Sequence, residues 1–466
     1  MPLRPHCLAL LAALSLAACS GPDAPTPGLD AGSDAALIDA EADALETEDA
    51  APDAGADAAD GSAVCPFELA DLETIPTPDR THTPRWAFLP WISKDISSGP
   101  DTYAFVDGFI DRDIPVGVVV LDSPWETNYN TLVPNPERYP DFEGMVSDLR
   151  DRGVRVVLWT TNFVNSGSFD LEAGGDRYAS PSPNFPEADR CGYFVQDGEQ
   201  YLWWKGKGGA IDFFDPVARA WWHAQQDALL EMGVAGWKLD FGDEYVLDDP
   251  ILTDAGPVSK QEYSEAYYRD FYEYGIHKRG HEDFVTMVRG WDESYGWEGR
   301  FFARPEHAPV VWAGDNRRDW VGLSDALDHI FRSAAAGYVV VGSDLGGYLD
   351  RDDADLQVLV PFDRVNFLRW LAVSALNPFM QLHGRANLAP WSLPDDPSPE
   401  RSIELYRYWA HLHTELIPFF YSLAEEAYAG NTPPILRPVG TVETWAGDYS
   451  YTLGDALLVT IQVDMH

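Results

Sequence analysis

Basic residues are scarce in this chain: 32 Lys and Arg stand against 76 Asp and Glu in 466 residues, a formal net charge of -44. A field of that sign repels polyphosphates and anionic head groups, so nucleic acid is not an expected partner, while neutral ligands stay open. Cysteine is also sparse, at four. No CxxC, HExxH or His cluster with ligand spacing occurs. The acidic run "DRDDAD" (350–355) departs from the calcium-loop template, with Ala354 at its fifth position and no Gly at its sixth. A required metal is not expected, and no GxGxxG follows the first predicted strand, which counts against an open doubly wound sheet.

The apolar run at the start, "CLALLAALSLAAC" (7–19), is too short to cross a bilayer as a permanent helix. Behind Arg4 and His6 it reads as an export signal. "LAAC" followed by Ser20 has the lipobox pattern, which implies cleavage before Cys19 and lipidation there; an ordinary cleaved signal is the alternative. Residues 20–64 hold twelve Asp or Glu and no Lys or Arg. Such a segment buries too little apolar surface to offset ordering entropy, so it reads as a disordered acidic tether. The expected location is the bacterial cell envelope, at the outer membrane or cell surface, with the lipid at Cys19 as the one membrane contact. Cys7 leaves with the signal. Cys65 and Cys191 then form an even pair in an oxidising compartment, and a disulfide between them would tie the start of the fold to a loop, although spacing alone does not fix it.

What the chain has in quantity is apolar and aromatic material, 45% hydrophobic with 17 Trp, ample for a large core. From about residue 80 one theme repeats: a β-branched apolar run, a polar loop, then a helical pattern. The runs are "VGVVVLD" (116–122), "VRVVLWT" (154–160), "GAIDFF" (209–214), "GWKLDF" (236–241), "FVTMVRG" (284–290), "APVVWAGD" (308–315), "GYVVVGSD" (337–344) and "NPFMQLHG" (377–384). Unbroken runs predict parallel strands buried on both faces. The stretches "EGMVSDLRDRG" (143–153) and "ARAWWHAQQDALLEMG" (218–233) predict helices between them. Eight such units predict an α/β fold, a (β/α)8 TIM barrel over residues 65–430, with 431–466 beginning a C-terminal β region.

In a barrel the C-terminal ends of the strands share one face, where sites are built. Asp122, Trp159, Asp240, Arg289, Asp315, Asp344 and His383 all fall at such ends. Two carboxylates there can cleave a glycosidic bond, one attacking the anomeric carbon and the other protonating the leaving oxygen. Asp240 is the better nucleophile because it ends its run. Lys238 points the same way by strand periodicity and would keep a carboxylate ionised. Asp315 is the candidate acid, its pKa raised by apolar neighbours such as Trp312. Asp243 and Glu244, beyond the strand, read as solvated loop acids.

The motifs "KLDFGDE", "VWAGDN", "GSDLGGY", "QLHG" and "FDPVARAWW" resemble glycoside hydrolase family 31, the retaining α-glycosidases, in order and spacing over roughly residues 83–460. The resemblance implies a (β/α)8 catalytic barrel, a covalent glycosyl-aspartate intermediate, no cofactor, and an oligosaccharide or α-glycoside substrate. It matches Asp240 to the nucleophile and Asp315 to the acid/base. Lys238, His383 and Asp122 match residues beside the sugar, Trp159 and Trp204 match aromatic positions lining the pocket, and Asp344 matches a supporting signature acid. An arginine precedes the acid/base strand in the family. Arg289 is preferred over Arg300 and Arg304 because it ends a strand. Pro124 stands where the family's α-glucosidases carry a second carboxylate, which leaves α-xylosidase or α-galactosidase specificity open. No Arg-x-x-Trp arrangement follows the first strand, so a sulfosugar is not favoured. The flanking β-domains usual in the family are expected to be missing or truncated. The alternative function is a non-catalytic carbohydrate-binding surface lipoprotein descended from such an enzyme.

Overall fold

In the computed structural model, which describes residues 64–169, 181–445 and 449–461, the unbroken apolar runs become short parallel strands. The signal segment, Cys19 and the acidic tether up to residue 63 lie outside the described residues. The strands are β1 (Trp91–Lys94), β2 (Val118–Leu121), β3 (Arg155–Thr160), β4 (Gly236–Leu239), β5 (Val285–Arg289), β6 (Val310–Ala313), β7 (Val341–Ser343) and β8 (Gln381–Leu382). They neighbour in the order β7-β6-β5-β4-β3-β2-β1-β8. A parallel bridge between Asp344 and Gln381 joins the two edges, so the sheet closes into the expected (β/α)8 barrel. Every residue of β2, β4 and β6 is buried, as strands covered on both faces must be.

Seven helices surround the ring: α1 (Gly99–Ile110), α2 (Phe142–Asp151), α3 (Pro216–Glu231), α4 (Lys260–Arg279), α5 (Trp320–Ala335), α6 (Arg364–Ala375) and α7 (Pro399–Tyr428). Their ends follow local chemistry. The Asp215 carboxylate caps α3 by accepting from the Val217 amide at 2.8 Å, Pro216 supplies the preset φ of the first turn, and Gly233 at φ 101° ends it. Ser259 and Glu262 form a reciprocal capping box at α4. Between β5 and β6 the described chain has no α-helix. A hairpin of Trp291–Asp292 with Arg300–Phe301 stands there instead.

Two strand assignments need correction. The run 209–214 is not a barrel strand: residues Gly206–Ala210 pair antiparallel with Phe163–Ser168 and Gln200–Trp203 in a separate three-stranded sheet on the barrel mouth. The helix that follows imitated a βα unit, but "GKGGA" carries three glycines and little side chain to bury. The missing barrel strand is Trp91–Lys94, whose apolar content is only Trp91 and Ile92. It pairs with β2 along its whole length and with β8 at those two residues. Asp122 therefore follows the second strand, not the first.

Cys65 and Cys191 are disulfide-bonded, fastening the lead-in segment to the C-terminal end of the short helix Phe185–Arg190. After α7, strands Leu436–Pro438, Tyr449–Leu453 and Leu457–Ile461 form an antiparallel sheet. Tyr449 and Tyr451 set their rings edge-on against Phe331 of α5.

Helix α4 tests how tightly this shell is packed. Gly275 lies within it, and a Cβ there would meet the buried Phe284 ring at 2.0 Å. Alanine gains up to about 1 kcal/mol in helix propensity, but moving a buried ring costs about 1–3 kcal/mol. Gly275→Ala is therefore expected to lower the melting temperature. A rise would show that the α4–β5 contact yields freely.

Candidate active site

The strand ends bring the predicted residues together, one from each strand in turn. Asp122 follows β2, Trp159 and Lys238 lie within β3 and β4 as direct partners in register, Asp240 follows β4, Arg289 ends β5, and Asp315, Asp344 and His383 follow β6, β7 and β8. The end of β1, overlooked in the sequence, supplies a further residue, Asp95.

Arg289 is the centre of the arrangement. Its Nη2 donates to Asp240 Oδ1 at 3.1 Å and to Asp315 Oδ2 at 2.7 Å, and its Nη1 donates to Asp292 Oδ2. One oxygen of each acid is thus bonded to the same nitrogen. The guanidinium plane rests 3.7 Å from the Phe241 ring centre and 4.6 Å from that of Trp312. Asp240 also accepts from the Trp159 indole N–H at 2.9 Å and from the Phe241 amide at 2.9 Å.

The two acids are held in opposite states. Burial would raise the Asp240 carboxyl, but Arg289, Lys238 and the Trp159 N–H outweigh it and hold it below the ordinary range. Burial pushes Asp315 up to about 7, against Arg289 and with the help of the neighbouring Asp240 charge. Asp315 also sits at φ 62°, a left-handed conformation that costs a non-glycine residue and clusters at functional sites.

A second, charged wall faces this pair. Lys238 Nζ donates to Asp122 Oδ2 at 2.6 Å. His383 Nε2 lies 2.8 Å from Asp95 Oδ1, and its Nδ1 lies 3.5 Å from Asp344 Oδ1. Burial and Lys238 disfavour the imidazolium, yet Asp95 and Asp344 raise its pKa to about 10. The ring is thus protonated at neutral pH, and its 3.4 Å approach to Lys238 is a repulsion tolerated between carboxylates rather than a hydrogen bond. Asp95 Oδ2 accepts from the Tyr348 hydroxyl at 3.1 Å. Asp95, Asp122 and His383 place possible ligand atoms within 4.8 Å of one another. Asp122 there already accepts from the Lys238 ammonium, and Asp95 is bonded to His383.

Several expectations change here. Asp243 is not a solvated loop acid: it is fully buried, bonded by Ser264 and by Arg300 Nη2 at 3.0 Å. Glu244 is held by Arg300 at 2.8 Å and Lys260 at 2.9 Å. Trp159 is only 1% exposed, so it presents an N–H to Asp240 rather than an open platform. Trp204 is half-buried and packs on Phe241 and Tyr245. Of the three arginines, Arg300 ties the hairpin to the loop after β4, Arg304 pairs with Glu265 at the surface, and Arg289 alone reaches the acids. Asp95 and Asp292 were missed. Asp95 was legible only through β1, whereas Asp292, three residues past a strand-ending arginine, carried a usable signal.

The profile of the glycosyl hydrolases family 31 TIM-barrel domain matches residues 81–423. Alpha-xylosidase XylQ of Lactiplantibacillus pentosus is 25% identical over 374 residues, 76% of this chain and 43% of that protein. Alpha-glucosidase 2 of Bacillus thermoamyloliquefaciens is 24% identical over 365 residues, 76% of this chain and 43% of that protein. The chain thus spans less than half the length of these curated relatives. A solved structure of the cycloalternan-degrading enzyme from Trueperella pyogenes, in complex with a covalent intermediate, shares the fold with a TM-score of 0.67. Its identity is 20%, covering 84% of this chain and 55% of that one. With the barrel closed, the acids paired across one arginine and the profile spanning most of the described residues, the chain belongs to glycoside hydrolase family 31.

Proposed function

We propose that this chain is a retaining α-glycoside hydrolase acting on oligosaccharides or other α-glycosides. The observation that carries the reading is the Arg289 bridge, which holds an ionised Asp240 and a protonatable Asp315 on one nitrogen. Asp240 attacks C1 of the sugar. The bond from C1 to the leaving oxygen breaks as the Asp315 carboxyl gives that oxygen its proton, and a glycosyl ester of Asp240 forms. Asp315, now a carboxylate, takes a proton from water whose oxygen attacks C1. The ester opens, and the sugar leaves with its α-configuration kept by two inversions. In this reading Asp122, Lys238 and His383 bind the hydroxyls of the attacked sugar, and Asp95 orients His383. The curated relatives described above are an α-xylosidase and an α-glucosidase, so xylose and glucose head the candidate sugars, with galactose next. Concentrated acceptors would divert the same intermediate to transglycosylation. We also propose that the protein is exported and anchored by lipid at Cys19, on the strength of the "LAAC" pattern and the acidic tether.

Nitrophenyl α- and β-glycosides of glucose, xylose and galactose test the reaction. One α-glycoside should be cleaved, with turnover abolished in Asp240→Ala. Asp315→Ala should lose about 10²–10⁴-fold on sugar leaving groups and far less on dinitrophenolate, which departs without a proton. Equal losses on both would remove Asp315 from the acid role. Catalysis also needs Asp315 protonated and Asp240 ionised. The kcat/KM of the wild type should therefore fall as pH rises through about 7 and hold on the acid side to below the ordinary carboxylate range. An alkaline limb that survives in Asp315→Ala would assign it to another group. Radiolabelled palmitate should enter the full-length chain in a Gram-negative host and be absent from Cys19→Ala; label in both would place the anchor elsewhere.

A further inference from the structure

The hairpin between β5 and β6 is fastened at both ends of its first strand. The Trp291 amide donates to the Ser333 hydroxyl of α5 at 2.9 Å, and the Arg332 guanidinium of the same helix lies 5.0 Å from the Trp291 ring centre. These contacts fix the next residue, Asp292, which is buried. One of its oxygens accepts from Arg289 Nη1. The other accepts from the Ser294 amide at 2.8 Å, and the Ser294 hydroxyl donates at 2.9 Å to the carbonyl of Gly314, the residue before Asp315. Asp292 is therefore tied both to the guanidinium that Asp315 shares and to the backbone that carries Asp315.

Behind Asp292 stands a group that the reaction as described does not use. His329 of α5 is buried, and its Nε2 lies 3.7 Å from Oε1 of the exposed Glu293. Among the described residues neither of its ring nitrogens makes a hydrogen bond. Burial disfavours the imidazolium, but Glu293, Asp292 and Asp325 on its own helix outweigh burial and raise its pKa above the ordinary histidine value. Charge thus alternates outward from the catalytic pair: Asp240 and Asp315, then Arg289, Asp292, His329 and Glu293.

Resting on the hydrolase reading, we propose that Asp292 is a positioning residue for Asp315, acting through Arg289, with His329 as its counter-charge. Arg289 has two tasks that conflict. It must keep Asp240 ionised, yet an uncompensated cation beside Asp315 would strip the proton that the leaving oxygen needs. Asp292 compensates that cation at Nη1 and leaves Nη2 to bridge the two acids. Asp315 is faced by Arg289 from β5, by Asp240 after β4, by Asp292 from the hairpin and by Asp344 after β7, with the Tyr245 and Tyr295 hydroxyls also within its field. Of these, Asp292 is the acid bonded to the same guanidinium without serving in bond cleavage.

The ionisation of Asp315 can be followed without turnover, in carbon-13 carboxyl spectra of the full chain labelled at aspartate, its signal being the one lost in Asp315→Asn. Asp292→Asn keeps the shape and removes the charge. It should move the Asp315 midpoint down from about 7 by about one pH unit, and the alkaline limb of kcat/KM should move with it. His329→Gln removes the cation behind Asp292 and should move the midpoint up. An unmoved midpoint in Asp292→Asn, or moves of the same sign in the two variants, would overturn the proposal; should Asp292→Asn fail to fold, the upward move in His329→Gln decides alone. Opposite moves in a protein that cleaves no glycoside would uphold the coupling and remove the hydrolase reading. An active enzyme whose Asp315 midpoint ignores both variants would keep the hydrolase reading and remove the coupling.

Discussion

One buried guanidinium holds three carboxyl groups together. Arg289 is 1% exposed, and it donates to carboxyl oxygens of Asp240, Asp292 and Asp315. Each of those acids would cost several kcal/mol to bury alone. A lysine could not replace the arginine, since a planar fork serves separate carboxylates while its plane rests against the Phe241 ring. The site requires β4, β5 and β6 to be consecutive neighbours, because their ends deliver Asp240, Arg289 and Asp315 respectively. Barrel closure is thus a condition of the chemistry, and the absence of a helix between β5 and β6 leaves room for the hairpin that brings Asp292 back onto Arg289.

The charge balance around this centre suits the proposed reaction. Arg289, Lys238 and His383 are the cations, while Asp95, Asp122, Asp240, Asp292 and Asp344 supply carboxylates in excess, with Asp315 holding its proton up to about 7. A transition state with oxocarbenium character carries developing positive charge. A pre-set surplus of negative charge stabilises it without reorganisation at the moment of reaction. The same surplus explains why the histidine is protonated: between Asp95 and Asp344 the neutral imidazole would leave an acceptor facing a carboxylate.

Much of this was legible because barrel strands and strand ends obey simple rules. Apolar runs without alternation found seven of the eight strands, and the polar residue at each end found seven members of the site. Failure came where the rule has little purchase. A four-residue strand with two apolar side chains is hidden in "LPWISKD", and "GAIDFF" (209–214) imitated a barrel strand because a well-capped helix follows it. These two errors offset each other, so Asp315 still followed the sixth strand while Asp95 was lost. Asp243 was misread for a different reason. Its partner Arg300 lies 57 residues away on the hairpin, and sequence distance conceals a pair that only the fold creates.

Asp95 also bears on the departure at Pro124. A carboxylate two residues after Asp122 would sit on the loop of β2, whereas Asp95 reaches the site from β1, one strand over. It is not an equivalent group displaced in sequence. Asp95 is spent on the His383 and Tyr348 hydrogen bonds, so it orders the charged wall instead of offering a free oxygen beside Asp122. In the proposed reaction the attacked sugar therefore meets Lys238 and His383 beside Asp122, with Pro124 where the resemblance implies a second acid in the family's α-glucosidases. Hydroxyl oxygens accept from cations and donate to carboxylates. A missing acid at that place takes away one acceptor for the hydroxyls on the outer edge of the ring.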